Sequence, residues 1–190
     1  MTTYADYQRE RAWTWEHQAL VRARGVAGDA ALLEAFEAVR RETLARSRNP
    51  SHLRGDVATM RTRMRGELDR SRPGRFDLKQ GHGGLVDLEF LLQYRVLRDA
   101  DTHPALLEPR DTPGLLQAVC EAGPGTTETG RDALLAAHAA LLAAGLGCSL
   151  DRRARLVVLD AELEAACDVV RRAFAAEQLD SIAADESAPP

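Results

Sequence analysis

Lysine is almost missing from this sequence. Lys79 is the only one in 190 residues, and the remaining strongly basic side chains are all arginine. Aromatic residues are scarce at 5%, whereas Ala, Leu and Arg are abundant, a balance that disfavours sheet and favours helix. The three cysteines, Cys120, Cys148 and Cys167, are widely spaced and form no Cys-x-x-Cys pair. That excludes a disulfide framework and a zinc ribbon, and it implies a reducing compartment. Excess positive charge is also lacking. A net charge of -4 argues against a general nucleic-acid binder, although it permits a local cationic patch. The N-terminal residues contain no apolar signal core, and no apolar run is expected to approach a membrane span. The reading is a cytoplasmic chain without membrane or nucleic-acid partners.

What is present reads as helix. The 45% apolar content can supply the core of one medium domain. The spacing predicts a first helix over about Tyr4 to Ala23, with Tyr4, Tyr7, Trp15 and Ala19 near one face and Trp13 and Leu20 beside it. Arg22 and Arg24 fall in its last turn, where cations suit the helix dipole or an anion. Asp29 is placed to cap a second helix over about Ala30 to Ala45, with Leu32, Phe36 and Val39 inside. A third helix carries Leu53, Val57, Met60, Met64 and Leu68 at three-to-four spacing, with Arg61, Arg63 and Arg65 on its solvated face.

Further on, Thr112-Pro113 reads as an N-cap and first turn, in a short helix that ends at Gly123. Pro124 to Thr127 is a loop. A helix from Arg131 to Ala144 has Leu134, Leu135, Leu141 and Leu142 inside and His138 among them, followed by a turn from Gly145 to Asp151. The last helix spans about Leu156 to Leu179, and a polar tail at 181–190 is expected to be disordered. The sum is an all-α, up-and-down helical bundle over residues 1–180, with about four long helices plus shorter ones.

The unusual stretch is Phe76-Asp77-Leu78-Lys79-Gln80-Gly81-His82-Gly83-Gly84-Leu85-Val86-Asp87-Leu88-Glu89-Phe90. Three glycines within four positions permit a positive φ or a close backbone approach. A nearly unbroken apolar segment follows, and it contains two carboxylates. On a strand, Asp87 and Glu89 would share a face and could hold magnesium. On a helix they lie about 200° apart and face opposite ways. The apolar pattern continues through Leu97, which favours the helix and argues against a metal pair. Gly83 and Gly84 at a helix start, with Lys79 upstream, could form an anion site. The order is not that of a P-loop, whose lysine follows its glycines. The alternative is a tight turn between helices, with Asp87 capping or pairing with an arginine and Glu89 contacting Gln93. No nucleophile motif is present, and no Gly-Ser followed by Asp-x-Asp.

This stretch, continuing through Gln93-Tyr94, resembles the bacterial glutamine synthetase adenylyltransferases. So do Tyr7 to Arg24 with Gly28-Asp29, and the pairs Asp56-Val57, Met60-Arg61 and Met64-Arg65. Ser149 to Leu156 is a weaker echo. The resemblance implies a helical bundle following the C-terminal nucleotidyltransferase domain. That half of the enzyme uses ATP and magnesium to transfer AMP to a tyrosine of glutamine synthetase, with glutamine and the PII signalling protein as effectors. The catalytic Asp-x-Asp would then lie upstream, so catalytic residues, metal ligands and cofactors are expected to be absent from this chain, which would be inert alone. The resemblance marks Trp13, Trp15, Glu16, Gln18, Arg22 and Arg24 as the first candidates for nucleotide or interdomain contact. Lys79, Gly83, Gly84, Asp87 and Glu89 form the second group. The expected partners are glutamine synthetase, the chain's own nucleotidyltransferase domain and PII. Removing such a domain is expected to expose an apolar patch around Trp13 and Trp15. The competing readings are a self-sufficient nucleotide- or phosphate-binding domain built on Lys79, Gly83 and Gly84, and a purely structural bundle.

Overall fold

The fold is built around one helix that is apolar on nearly every side. In the structure, a computed structural model that describes residues 2–123 and 127–180, this is α5, Leu85–Asp99. Val86, Leu88, Leu91, Leu92, Tyr94, Val96 and Leu97 on it are all buried. A helix whose polar face is as narrow as the Glu89–Gln93 edge has to be surrounded on its other sides, and α5 is. It packs against α2 (Thr14–Arg22), α4 (Pro50–Leu68), α6 (Thr112–Ala122), α7 (Glu128–Leu150) and α8 (Ala161–Ala176). Two further helices, α1 (Thr2–Glu10) and α3 (Ala30–Leu44), close the N-terminal side. A 3-10 turn, Pro104–Leu107, supplies buried Leu106 and Leu107. The all-α class read from the sequence therefore holds. The single sheet among the described residues is a two-residue antiparallel pairing of β1 (Phe76–Asp77) with β2 (Leu156–Val157), in register Phe76 to Val157. The expected tail at 181–190 and the loop residues 124–126 lie outside the described residues.

Several boundaries fall where expected. Asp29 accepts from the Leu32 N–H to cap α3, and the Asn49 side chain accepts from Ser51 and His52 at the start of α4, with Pro50 in its first turn. Other boundaries differ, each for a local reason. The first helix is two helices, interrupted at Arg11 to Trp13. Trp13 is extended, and the Glu16 carboxylate returns to its N–H at 2.9 Å, so a fresh helix start outcompetes continuation. The N-cap of α6 is Asp111 rather than Thr112, because its carboxylate accepts from Gly114. The helix expected to stop at Ala144 runs on to Leu150, through Gly145 and Gly147. Burial of Gly145 and Cys148 outweighs the roughly 1 kcal/mol that each glycine costs a helix. Leu156 and Val157 are strand, and α8 begins only at Ala161, capped by Asp160.

Some side chains expected inside face out. Leu32, Leu68 and Leu142 are exposed. By length and composition α7 could cross a membrane, contrary to the expectation of no such run; here its Leu134, Ala137 and Leu141 are buried against neighbouring helices. The largest correction concerns α4. Arg61, assigned to the solvated face, is 1% exposed, and Arg65 is partly buried beside it. Arg61 lies four residues beyond Val57 and eight beyond Leu53, so it sits on the apolar stripe itself.

Candidate functional site

The glycine segment is a short buttress between β1 and α5. Gly83 has φ +86°, and a Cβ there would come within 2.5 Å of the Cys167 carbonyl oxygen on α8. At Gly84 a Cβ would press on the carbonyls of Leu78, Gly81 and Lys79. These glycines therefore answer to close approach of backbone, as the tight-turn alternative required. Asp77 organises the preceding turn, its carboxylate accepting from the N–H groups of Lys79 and Gln80 at 2.9 and 3.0 Å.

Asp87 lies on the first turn of α5 and is completely buried. Its Oδ1 accepts from Arg61 Nε at 2.5 Å and Arg65 Nη2 at 2.9 Å, and its Oδ2 accepts from the Gly83 N–H at 2.7 Å. Arg61 also donates to the Gln80 side chain at 3.1 Å and the Gln80 carbonyl at 2.7 Å. The carboxylate thus occupies the position an external anion would take at this helix start. Leu85 and Val86 give their N–H groups to the carbonyls of Leu78 and Lys79. Lys79 itself is exposed, and its ammonium forms no ion pair with the described residues.

Glu89 faces away from Asp87, as the helix reading required. It pairs with Arg22 at 2.7 Å, both side chains about 40% exposed. One turn on, Gln18 donates to Gln93 at 3.1 Å. The structure thereby joins the two candidate groups across α2 and α5: Arg22 of the first pairs with Glu89 of the second, and Gln18 of the first meets Gln93 one turn on from Glu89. His138 on α7 completes this patch. Burial and the Arg22 charge lower its pKa, while Glu89 raises it. The expected Glu89–Gln93 contact is replaced by these two separate pairs. With Asp87 held by two arginines and Glu89 by a third, the two carboxylates do not fit a magnesium site. Among the described residues no three His, Cys, Asp or Glu side chains converge for a metal.

The remaining first-group residues stand apart. Trp13 is 70% exposed and Trp15 48% exposed. Together with Asp56, Thr59, Met60 and Arg63 of α4 they line a groove of about 230 Å³. Glu16 holds the corner behind them, accepting from the Trp13 N–H and from the Tyr7 hydroxyl at 2.7 Å, and both bonds lower its pKa. Arg24 is exposed beyond the end of α2. Sequence reasoning passed over Arg40, a fully buried cation that closes the other end of α2. It donates to the carbonyls of Leu20 at 2.7 Å and Val21 at 2.8 Å, and burial brings its pKa down to about 10.

Known proteins match the sequence that builds this site closely. Residues 1–39 match the family model described as glutamate-ammonia ligase adenylyltransferase. A bifunctional glutamine synthetase adenylyltransferase/adenylyl-removing enzyme from Xanthomonas campestris pv. campestris (strain B100) is 59% identical over 179 residues. That alignment covers 94% of this chain and 19% of the relative. The chain is homologous to a segment of the glutamine synthetase adenylyltransferases. The enzyme of the same name from Stenotrophomonas maltophilia (strain K279a) is 57% identical, again over 94% of this chain and 19% of its own length. That from Nitrosococcus oceani is 55% identical over 123 residues, 65% of this chain and 13% of the relative. The chain therefore spans about a fifth of the length of these curated relatives. The resemblance seen in the Tyr7–Arg24 and Phe76–Tyr94 segments extends through most of the chain.

Proposed function

We propose that residues 1–180 form the helical domain that accompanies the adenylylating nucleotidyltransferase domain of a glutamine synthetase adenylyltransferase. In this reading the domain packs on the catalytic domain and helps to recognise glutamine synthetase or its regulators. The whole enzyme, cytoplasmic and controlled by glutamine and PII, transfers AMP from magnesium-ATP to a glutamine synthetase tyrosine. ATP and magnesium belong to the catalytic domain, and this region alone transfers no AMP.

The observation that carries the proposal is the 59% identity over 94% of the chain to an enzyme named for that reaction. The groove at Trp13 and Trp15 supports the interaction role. Tryptophan is a costly residue to leave in water, and exposed aromatics beside a helix are the usual anchors of a protein interface. The test is calorimetric titration of the chain with purified glutamine synthetase, with and without glutamine. Saturable binding is expected, and a shift with glutamine would place an effector site within these residues. Absence of binding at high concentration overturns recognition by this domain and leaves a brace for the catalytic domain.

The exposed ammonium of Lys79, which forms no ion pair among the described residues, favours one competing reading, a self-sufficient nucleotide site. Micromolar ATP binding that disappears in Lys79→Ala would support it, and no ATP binding would dismiss it.

A further inference from the structure

Away from both candidate groups, a polar pocket of about 290 Å³ opens where the end of α1 meets the junction of α3 and α4. Arg9, His17, Arg46, Arg48, Asn49 and His52 line it, with Glu10 and Asp56. Its cations are unequally matched. Arg9 is paired with Glu42 at 2.8 Å. Arg46 and Arg48 donate only to backbone carbonyls, and neither forms an ion pair with a described carboxylate. Arg46 Nη1 reaches the Arg9 carbonyl at 3.0 Å and the Gln8 carbonyl at 3.5 Å. Arg48 reaches the carbonyls of Thr43 at 2.7 Å, Arg46 at 2.8 Å, Leu44 at 3.0 Å and Leu97 at 3.2 Å.

Carbonyls at a helix end offer only about half an elementary charge. Beyond these carbonyls, Asp101 acts on Arg48 and Glu42 on Arg46 only through space, with no ion pair to either arginine. Burial and the Arg46 charge bring Arg48 down to about 10, and both arginines add to the burial that lowers His17. The two carboxylates of the pocket do not relieve this. Asp56 is engaged by the Thr14 hydroxyl at 2.5 Å, and Glu10 pairs with neither arginine. The start of α4 adds no donors to this wall, because Asn49 takes the N–H groups of Ser51, His52 and Leu53 and Pro50 has none, so the two arginines carry the site.

We propose that this pocket binds a small oxyanion of the phosphate class, with Arg46 as its direct contact and Arg48 as the fixed charge behind it. Arg46 is suited to contact because its Nε and Nη2 have no partner among the described residues. Arg48 is committed by its four carbonyls to holding the wall.

The test is titration of the chain with inorganic phosphate at constant ionic strength, read by calorimetry and by amide NMR shifts, with chloride as the matched control. Saturable phosphate binding is expected, with the largest shifts at residues 46–53. Arg46→Gln, checked for folding by circular dichroism, should weaken it about tenfold or more. Arg153→Gln, which removes a distant exposed charge, should leave it unchanged. Competition by ATP would identify a nucleotide phosphoryl group as the source, and failure to compete would identify free phosphate. The proposal is overturned by the absence of saturable binding, by equal loss in both variants, or by shifts located elsewhere. Because the probe is phosphate, these results are separate from the glutamine synthetase titration.

Discussion

Arg61 and Asp87 form an ion pair at 2.5 Å with both side chains essentially sealed from solvent. The pair joins α4 to the first turn of α5 and, through Gln80 and Gly83, fixes the glycine segment between them. Removing one partner of such a pair leaves the other charge buried and uncompensated. Asp87→Ala should therefore cost about 3–5 kcal/mol. Glu89→Ala, which breaks a half-solvated pair with Arg22, should cost below about 1 kcal/mol. Urea unfolding of the two variants compares them directly. Equal losses would mean that the buried network does not hold the segment.

The glycines offer a sharper contrast. Gly83→Ala places a Cβ against the Cys167 carbonyl at a φ of +86°, so both sterics and backbone conformation oppose it. A loss of at least about 1–2 kcal/mol is expected. Gly66 lies within α4, and a Cβ there meets nothing within 4 Å. Gly66→Ala should stabilise by about 0.4–1 kcal/mol through helix propensity and the unfolded chain. Opposite signs in thermal unfolding are the expected result.

These two positions show what the sequence could and could not convey. The helices were legible because their periodicity is local, and the tight turn at Gly83 and Gly84 was legible because three glycines crowd into four positions. Arg61 was misread because an arginine at a stripe position looks solvated unless its partner is known. That partner, Asp87, lies 26 residues away on another helix. The signal was available in the Leu53–Val57–Arg61 spacing. The short β1–β2 pairing was not legible, because two residues give no alternation and the partners are 79 and 81 positions apart. Arg40 was overlooked for the same reason: its carbonyl partners, Leu20 and Val21, sit on a helix that the sequence does not mark as adjacent.

Buried His17 sets a pH dependence. Its Nε2 donates to the Gln8 carbonyl, yet burial, aided by Arg48 and Arg46, lowers its pKa below the ordinary 6.5. The folded state thus disfavours the proton, while the unfolded chain takes it up. Stability should be full above pH 6.5 and fall progressively as the pH drops from there towards the lowered value of the folded state. His138 is shifted the same way and adds to the slope. His17→Gln should flatten the curve between pH 7.5 and 5.5 in denaturant titrations. An unchanged slope would assign the effect elsewhere.

The thiols should differ in reactivity. Cys148 and Cys167 are buried, so reagent reaches neither in the folded chain, and burial also pushes the Cys167 thiol up to about 11. Cys120 is only half-buried. A native-state titration with a thiol reagent should modify Cys120 first, with the other two reacting only on unfolding.

The tryptophans separate interaction from stability. Trp13 and Trp15 are largely exposed, and the helix start at Trp13 depends on its backbone N–H rather than on its ring. Trp13→Ala and Trp15→Ala should therefore change the stability of the chain by less than about 1 kcal/mol. If the groove receives a protein surface, each ring becomes a buried anchor there, and truncation should weaken that association by about 2 kcal/mol, roughly 30-fold. The measurement pairs unfolding curves with titration against the catalytic domain and, separately, glutamine synthetase. A blue shift of tryptophan emission on mixing would report burial of the rings in the wild-type chain. Loss of binding with preserved stability identifies the partner that covers the groove. Loss of stability with preserved binding would make the tryptophans part of the helix pack instead, and would move the docking surface to the Arg22–Glu89–His138 face.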